Sequence, residues 1–247
     1  CVRNMLDTAL AASAYMAPFA RGLATRPAWF RQIEDWKRRR PEVPRHPGML
    51  TAEAAIDRIF TALPKDNAYV TTEVGQHQMW TAQRFDLDRP RSFVTSGGLG
   101  TMGFGFPAAI GIQVAHPQAT VVDVAGDGSF QMTVQELAMA RDYGLPVKVF
   151  VINNGRLGMI RQWQGKMYGR ESEARMTGPD YVKLAEAYGC VGYAATTPAE
   201  LDLALQAALA ERDRPVIVDI QVVEDTDVYP WVPAGAGNDE MLVTPTD

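Results

Sequence analysis

The sequence predicts an α/β fold: a doubly wound, mostly parallel sheet with helices on both faces. Three observations carry that prediction. Strand-like apolar runs alternate with capped helical segments from residue 49 onward. Runs such as 147–152, "VKVFVI", read as apolar throughout, as strands are when both sheet faces are covered. Glycine- and asparagine-rich turns follow the runs directly, and in such sheets ligands sit beyond the carboxyl ends of strands.

The elements follow in order. "WFRQIEDWKRRR" has the pattern of a short amphipathic helix ending in a solvated basic cluster, Lys37 to Arg40. Pro41, Pro44 and Pro47 make a linker after it. Residues 1–48 are therefore expected to be an N-terminal helical and linker segment, the tail of a preceding domain, and 49–247 the main domain. Thr51 caps a helix that ends at Leu63, before Pro64. "AYVTTEV" reads as a strand and "QHQMWTAQRF" as a short helix. "SFVTS" is a strand, and a helix forms around "PAAIGIQVA". "TVVDVA" is the next strand. Thr133 and Glu136 form a T-x-x-E capping box for a helix closed by Gly144, with Pro146 beyond. "VKVFVI" follows as a strand. Asp180 to Tyr188 is a helix closed by Gly189. Thr197 and Glu200 form a second capping box with Pro198 at the first helical position, and "VIVDIQV" is the last strand.

Composition excludes several classes of function. Across 247 residues, 24 Lys and Arg stand against 29 Asp and Glu, a net charge of −5. A nucleic-acid surface needs a clustered basic excess instead. No apolar run reaches about 18 residues, so no membrane span is expected. Cys1 and Cys190 are too few for a disulfide framework, which makes a cytoplasmic location the default expectation. The opening residues lack the basic-then-apolar pattern of a signal peptide, and Cys1 in place of Met suggests the C-terminal piece of a longer protein. His46 and His116, each beside a proline, are expected at the surface.

Three strand ends carry the chemistry: "EVG", "AGDGSF" and "INNG". Asp127 lies between Gly126 and Gly128, which let the backbone come close to a bulky anion. Asn153 and Asn154 directly follow another strand. A single helix-strand unit separates the two motifs, so Asp127 and Asn154 reach the same sheet edge. A carboxylate and an amide oxygen there suit Mg²⁺, which takes oxygen ligands together with substrate phosphates. The turn after Asp127 also precedes a helix, whose first N–H groups favour phosphate. A separate stretch, "SFVTSGGLGTMGFGFPAAIG", holds Gly98, Gly100 and Gly103 in the G-x-G-x-x-G spacing of a dinucleotide loop. That reading needs an acid at the end of a second strand about twenty residues on. Asp123, the only nearby acid, lies inside "TVVDVA", which makes an NAD-linked oxidoreductase the weaker rival.

The GDG and NN pair resembles the thiamine diphosphate-binding motif of thiamine-dependent decarboxylases and carboligases. "GQHQMWTAQ", "TSGGLGTMGFGFPAAIG", "GDGSFQMTVQELA", "INNGRLGMIRQWQ" and "PDYVKLAEAYG" narrow the resemblance. From about residue 25 to the end, the chain looks like the large catalytic subunit of acetohydroxyacid (acetolactate) synthase. The resemblance implies the diphosphate domain of the thiamine diphosphate-binding fold. It implies Mg²⁺ held by Asp127, the Asn154 side chain and the Arg156 carbonyl, where many members carry His at the Arg156 position. It implies a diphosphate lined by Val74, Gly75, Gln76, His77, Gly126, Gly128, Ser129, Leu157, Gly158 and Met159. Gly100 would offer its carbonyl to the aminopyrimidine, and Met102 would wedge beneath the cofactor and bend it. Trp163 would recognise the second 2-ketoacid.

The implied reaction decarboxylates pyruvate and joins the fragment to pyruvate or 2-ketobutyrate, toward valine and isoleucine, the branched-chain amino acids. The family also needs a Glu from a pyrimidine-binding domain of a neighbouring subunit. Glu73, at the "TTEVG" strand end, is not cast as that acid. FAD belongs to a middle domain of the full-length enzyme. A homodimer or tetramer and a regulatory small subunit are the implied partners. The alternatives are another thiamine diphosphate-dependent decarboxylase or carboligase, and a non-catalytic thiamine diphosphate-binding fragment.

Overall fold

A computed structural model describes residues 27–38, 48–87, 89–233 and 235–243. Cys1, His46, Arg39, Arg40 and the three linker prolines lie outside the described residues. Contacts divide the chain into two compact units, one of residues 1–42, 86–91 and 229–247, the other of 43–85 and 92–228. In the first unit, helix α1 spans Pro27–Arg38, and Trp231 pairs with Leu242 in an isolated antiparallel bridge.

The second unit carries the sheet. Thr51 caps α2 (Ala52–Ala62), accepting from the Ala54 amide at 3.2 Å. Strand β1 (Ala68–Thr72) leads to α3 (Gln76–Arg84), and β2 (Phe93–Thr95) leads through the glycine turn to α4 (Gly105–Ala115). Strand β3 (Thr120–Gly126) is buried throughout and runs straight into a four-residue helix, α5 (Asp127–Phe130). After a 3₁₀ stretch, Gln131–Glu136, comes α6 (Leu137–Asp142). Then follow β4 (Lys148–Asn153), α7 (Gly158–Tyr168), α8 (Tyr181–Ala187), β5 (Val191–Ala195), α9 (Pro198–Ala210) and β6 (Val216–Gln221).

All six strands are parallel, in the order β2-β1-β3-β4-β6-β5. Right-handed crossovers then put α4, α6 and α8 on one face and α3 and α9 on the other. Side chains alternate across a strand, and the core follows that rule. Val121, Ala125, Val149, Val151 and Ile217 pack with Phe106, Ile110, Leu137 and Tyr181 in one buried cluster. On the opposite face α2 contacts both α3 and α9. The chain order reverses between β1 and β3, so β1, β3 and β4, all central, end at a topological switch point.

The expected capping boxes divide. Thr197 and Glu200 form theirs around Pro198. Thr133 does not, because the helix starts earlier, at Asp127, and Thr133 has non-helical backbone angles. Its hydroxyl donates to the Gly103 carbonyl at 3.2 Å instead. Strand β5, absent from the sequence reading, pairs with β6 at the sheet edge. Lys148, the charged exception in the run expected to be apolar, opens β4 and is fully buried. Its ammonium donates to the carbonyls of Pro146 and Glu211, while burial pulls its pKa down to about 8. Cys190 is a buried free thiol, its pKa pushed up to about 11 by burial. No helix among the described residues is long and apolar enough to cross a membrane.

Candidate functional site

A cleft of about 330 Å³ opens over the carboxyl ends of β1, β3 and β4. It is lined by Val74, Gly75, Gln76 and His77 after β1, and by Gly126, Asp127, Gly128 and Ser129 at the end of β3. Asn154, Arg156, Leu157, Gly158 and Met159 line it after β4, and Gly100 and Met102 come from the glycine turn. All fifteen residues that the sequence singled out for a cofactor are therefore in one place. Trp163 is not among the lining residues. It lies on α7 one turn beyond Met159 and Ile160, which are, and is 40% exposed. A larger groove of about 720 Å³ between α2 and α9 is shallow, and an Arg58–Asp202 ion pair crosses it.

Glycine is required where the walls come closest. A Cβ on Gly126 would stand 2.7 Å from the His77 ring, and one on Gly128 would stand 2.8 Å from the Met176 sulfur. A Cβ on Gly158 would collide with the Gln76 side chain. That side chain has little room to yield: Gln76 Nε2 donates to Gln162 Oε1 and to the Thr226 carbonyl, both at 2.9 Å.

Asp127 is buried, and its carboxyl pKa rises to about 6. Desolvation drives the rise, and the nearby amides of Gly128, Gly155 and Arg156 partly offset it. The Asp127 carboxylate thus lies beside the turn that Asn154 opens. Asn154 Oδ1 accepts from the Arg156 amide at 3.2 Å, and Gly155 takes φ +65°, a left-handed angle that glycine tolerates. Burial holds the His77 ring neutral, its pKa lowered to about 3. The two asparagines have separate tasks. Asn153 donates to Asp219 at 2.9 Å on the neighbouring strand, leaving Asn154 to the cleft. The Arg156 guanidinium is engaged by Glu171 (2.8 Å), Glu224 (3.2 Å) and Asp225 (3.3 Å).

The lining fits a cofactor carrying a diphosphate and a hard cation. Among the described residues, Gln76 Oε1, His77 Nε2 and Ser129 Oγ are buried without a hydrogen-bond partner. Buried polar atoms are rarely left so, and orphans gathered in one cleft suit a ligand. The glycines leave a cradle that any Cβ would fill. No three His, Cys, Asp or Glu among the described residues gather as a self-sufficient metal cage. One carboxylate with amide and carbonyl oxygens is the kind of set that Mg²⁺ uses when phosphates complete its shell.

Comparison with known proteins gives the family. Residues 73–220 match the thiamine pyrophosphate enzyme C-terminal TPP binding domain. The chain belongs to the thiamine pyrophosphate enzymes. As a member of that family it is similar to the acetolactate synthase large subunit of Haemophilus influenzae, at 45% identity over 220 residues. That alignment covers 88% of this chain and 38% of the relative. The Escherichia coli acetolactate synthase isozyme 3 large subunit is 46% identical over 224 residues, 89% of this chain and 39% of the relative. An acetolactate synthase of Mycobacterium leprae is 46% identical over 204 residues, 80% and 32%. The chain therefore spans well under half the length of these thiamine pyrophosphate enzymes.

Three residues that shape the site escaped the sequence reading. The Tyr181 hydroxyl donates to the Asp127 carbonyl at 2.7 Å. Gln162 ties α7 to α3 and to Val228. Asp219 holds Asn153. A carboxylate inside the apolar run "VIVDIQV" is one available signal; Gln162, whose polarity beside Arg161 suggests an exposed helix face, is instead buried, and Tyr181 gave none.

Proposed function

We propose that this chain is the diphosphate- and Mg²⁺-binding domain of an acetolactate synthase large subunit. That enzyme is a transferase that decarboxylates pyruvate and joins the fragment to pyruvate or 2-ketobutyrate. The observation that carries the reading is the Asp127 carboxylate lying beside the Asn154–Arg156 turn in a glycine-walled cleft. The identity to acetolactate synthase large subunits over most of the chain supports the choice of reaction.

Bound thiamine diphosphate supplies the electron sink for loss of CO₂. The protein binds and orients it. Asp127, Asn154 and the Arg156 carbonyl would hold Mg²⁺. Ser129, whose hydroxyl is buried without a partner, would donate to phosphate oxygens, and Gly126, Gly128 and Gly158 would let them approach the backbone. On the other side, the Gly100 carbonyl and the Met102 side chain would hold the aminopyrimidine part of the cofactor. Trp163, on α7 one turn beyond the lining residues Met159 and Ile160, would meet the second 2-ketoacid. Residues 49–247 form this domain, and 1–48 end the domain before it. The preceding domains supply the catalytic Glu and the FAD site, a second copy completes a homodimer or tetramer, and a small subunit regulates it.

Calorimetry tests the assignment. Thiamine diphosphate is expected to bind only with Mg²⁺, and Asp127→Ala to weaken it by more than about tenfold, as for loss of a metal ligand or its support. NAD binding that survives Asp127→Ala would overturn the reading.

A further inference from the structure

Two carboxylates lie in the core beneath the glycine turn, and the mechanism above uses neither. Glu73, just past β1, and Asp123, within β3, are both fully buried. Glu73 accepts from the Gly103 amide at 2.6 Å through Oε2 and from the Phe106 amide at 3.0 Å through Oε1. It therefore caps the first turn of α4. Asp123 Oδ1 accepts only from the Thr71 hydroxyl, at 2.9 Å, and Oδ2 has no partner among the described residues. The backbone of Gly105 is wedged between the two strands: a Cβ there would stand 2.6 Å from the Glu73 amide nitrogen and collide with Asp123 Oδ1. No cationic side chain among the described residues pairs with either carboxylate.

Gly103 is gripped from both sides. Its amide is held by Glu73 and its carbonyl by Thr133, at 3.2 Å. Its φ of +88° excludes other residues, and a Cβ would meet Met132 at 2.9 Å. Met102 precedes this fixed point and Gly100 lies two residues further back, so the grip on Gly103 sets where both sit.

We propose that Glu73 is a positioning residue, anchoring the Gly100–Met102 turn as an ionised carboxylate, and that Asp123 beside it carries a proton. The pair then bears one negative charge. The assignment follows from the donors. Glu73 has amides and the positive end of α4 to stabilise a charge, whereas Asp123 has one hydroxyl. Two uncompensated charges in the core would cost far more than one. Burial raises the pKa of both groups; at Asp123 the Glu73 charge adds to the rise, whereas at Glu73 four backbone amides partly offset it. The titratable groups that face the pair are each other and His77, which bonds the Glu73 backbone and stays neutral.

The inference rests on the thiamine diphosphate reading of the cleft, and its test separates the two. Two probes are titrated in the presence of Mg²⁺: thiamine diphosphate and inorganic diphosphate. Glu73→Gln is expected to weaken thiamine diphosphate by about tenfold or more, the loss of a charge-assisted anchor, and to leave inorganic diphosphate unchanged. Asp123→Asn, whose amide mimics a neutral acid, leaves both unchanged. Infrared spectroscopy with isotope-labelled aspartate should show a protonated carboxyl band in the wild type at neutral pH that Asp123→Asn removes. Equal weakening of both probes by a folded Glu73→Gln, or no Asp123-dependent band, overturns the proposal. If Glu73→Gln loses its cooperative unfolding transition, Asp123→Asn and the band decide. A wild type that binds neither probe sinks the cleft reading, while the band still judges the proton on Asp123.

Discussion

Tyr181 shows how one atom can tie the core to the site. Its ring is buried beside Phe130, and its hydroxyl donates to the Asp127 carbonyl. Gln131 donates to the same carbonyl at 3.1 Å. Tyr181→Phe keeps the packing and removes one donor. It is expected to lower stability by about 1 kcal/mol and to weaken Mg²⁺-dependent cofactor binding, read by urea unfolding and calorimetry. Asp127 itself sets a pH dependence. Its pKa rises from 3.8 to about 6 on folding, so the fold favours the protonated acid. The stability this contributes is complete below 3.8 and is lost as pH rises through 6. Asp127→Asn should flatten that fall and stabilise the metal-free chain near neutrality by up to about 3 kcal/mol, measured by urea unfolding across the window. The sequence made Asp127 and Asn154 legible because each sits between turn formers at the end of an apolar run. It could not show that Asn153 serves Asp219 instead, since adjacent asparagines look alike until the chain twists them apart.

Among the elements, the turn after β4 is the most heavily braced. Arg156 and Arg175 form an antiparallel bridge, Leu157 donates to Ala174 at 2.8 Å and Met176 to Gly155 at 2.9 Å. The Arg156 guanidinium then joins Glu171 to Glu224 and Asp225, linking the segment after α7 to the one after β6. The carboxylates are half exposed, which screens the pairs, but the guanidinium is buried and its planar fork is what Lys lacks. Arg156→Ala should cost about 1–3 kcal/mol and speed proteolysis within residues 169–176, with Arg156→Lys only partly restoring protection. These links join residues far apart in sequence, so no local pattern announced them. The same limit explains the two element-level misses. β5, "VGYAA", has weak strand character and forms because β6 offers it an edge. Thr133 has the spacing of a cap, but Gly103 claims its hydroxyl.

At the scale of the molecule, the cleft lies over the ends of the central strands with the glycine turn along one side, where Leu99 is 93% exposed. The acetolactate synthase reading puts the catalytic Glu on a domain outside these 247 residues. The isolated chain is therefore expected to bind thiamine diphosphate with Mg²⁺ yet form no acetolactate until the N-terminal half is co-expressed. Acetolactate made by the purified chain alone would refute this. The alternation of strands and helices made the doubly wound sheet legible, because burial on both faces leaves its mark on every central strand.

The paired glutamines give the fold a sense of time. Gln76 and Gln162 are buried against each other, and both reach the carbonyl-bearing segment at Thr226 and Val228. During synthesis β1 emerges early, but its neighbour β3 follows only about fifty residues later, and the glutamine partners come later still. A chain halted short of Thr226 would leave Gln76 with Gln162 as its one acceptor and take from Gln162 both of its bonds to Val228. The bracing of the first turn of α3 is thus completed only once residues 226–228 have been made.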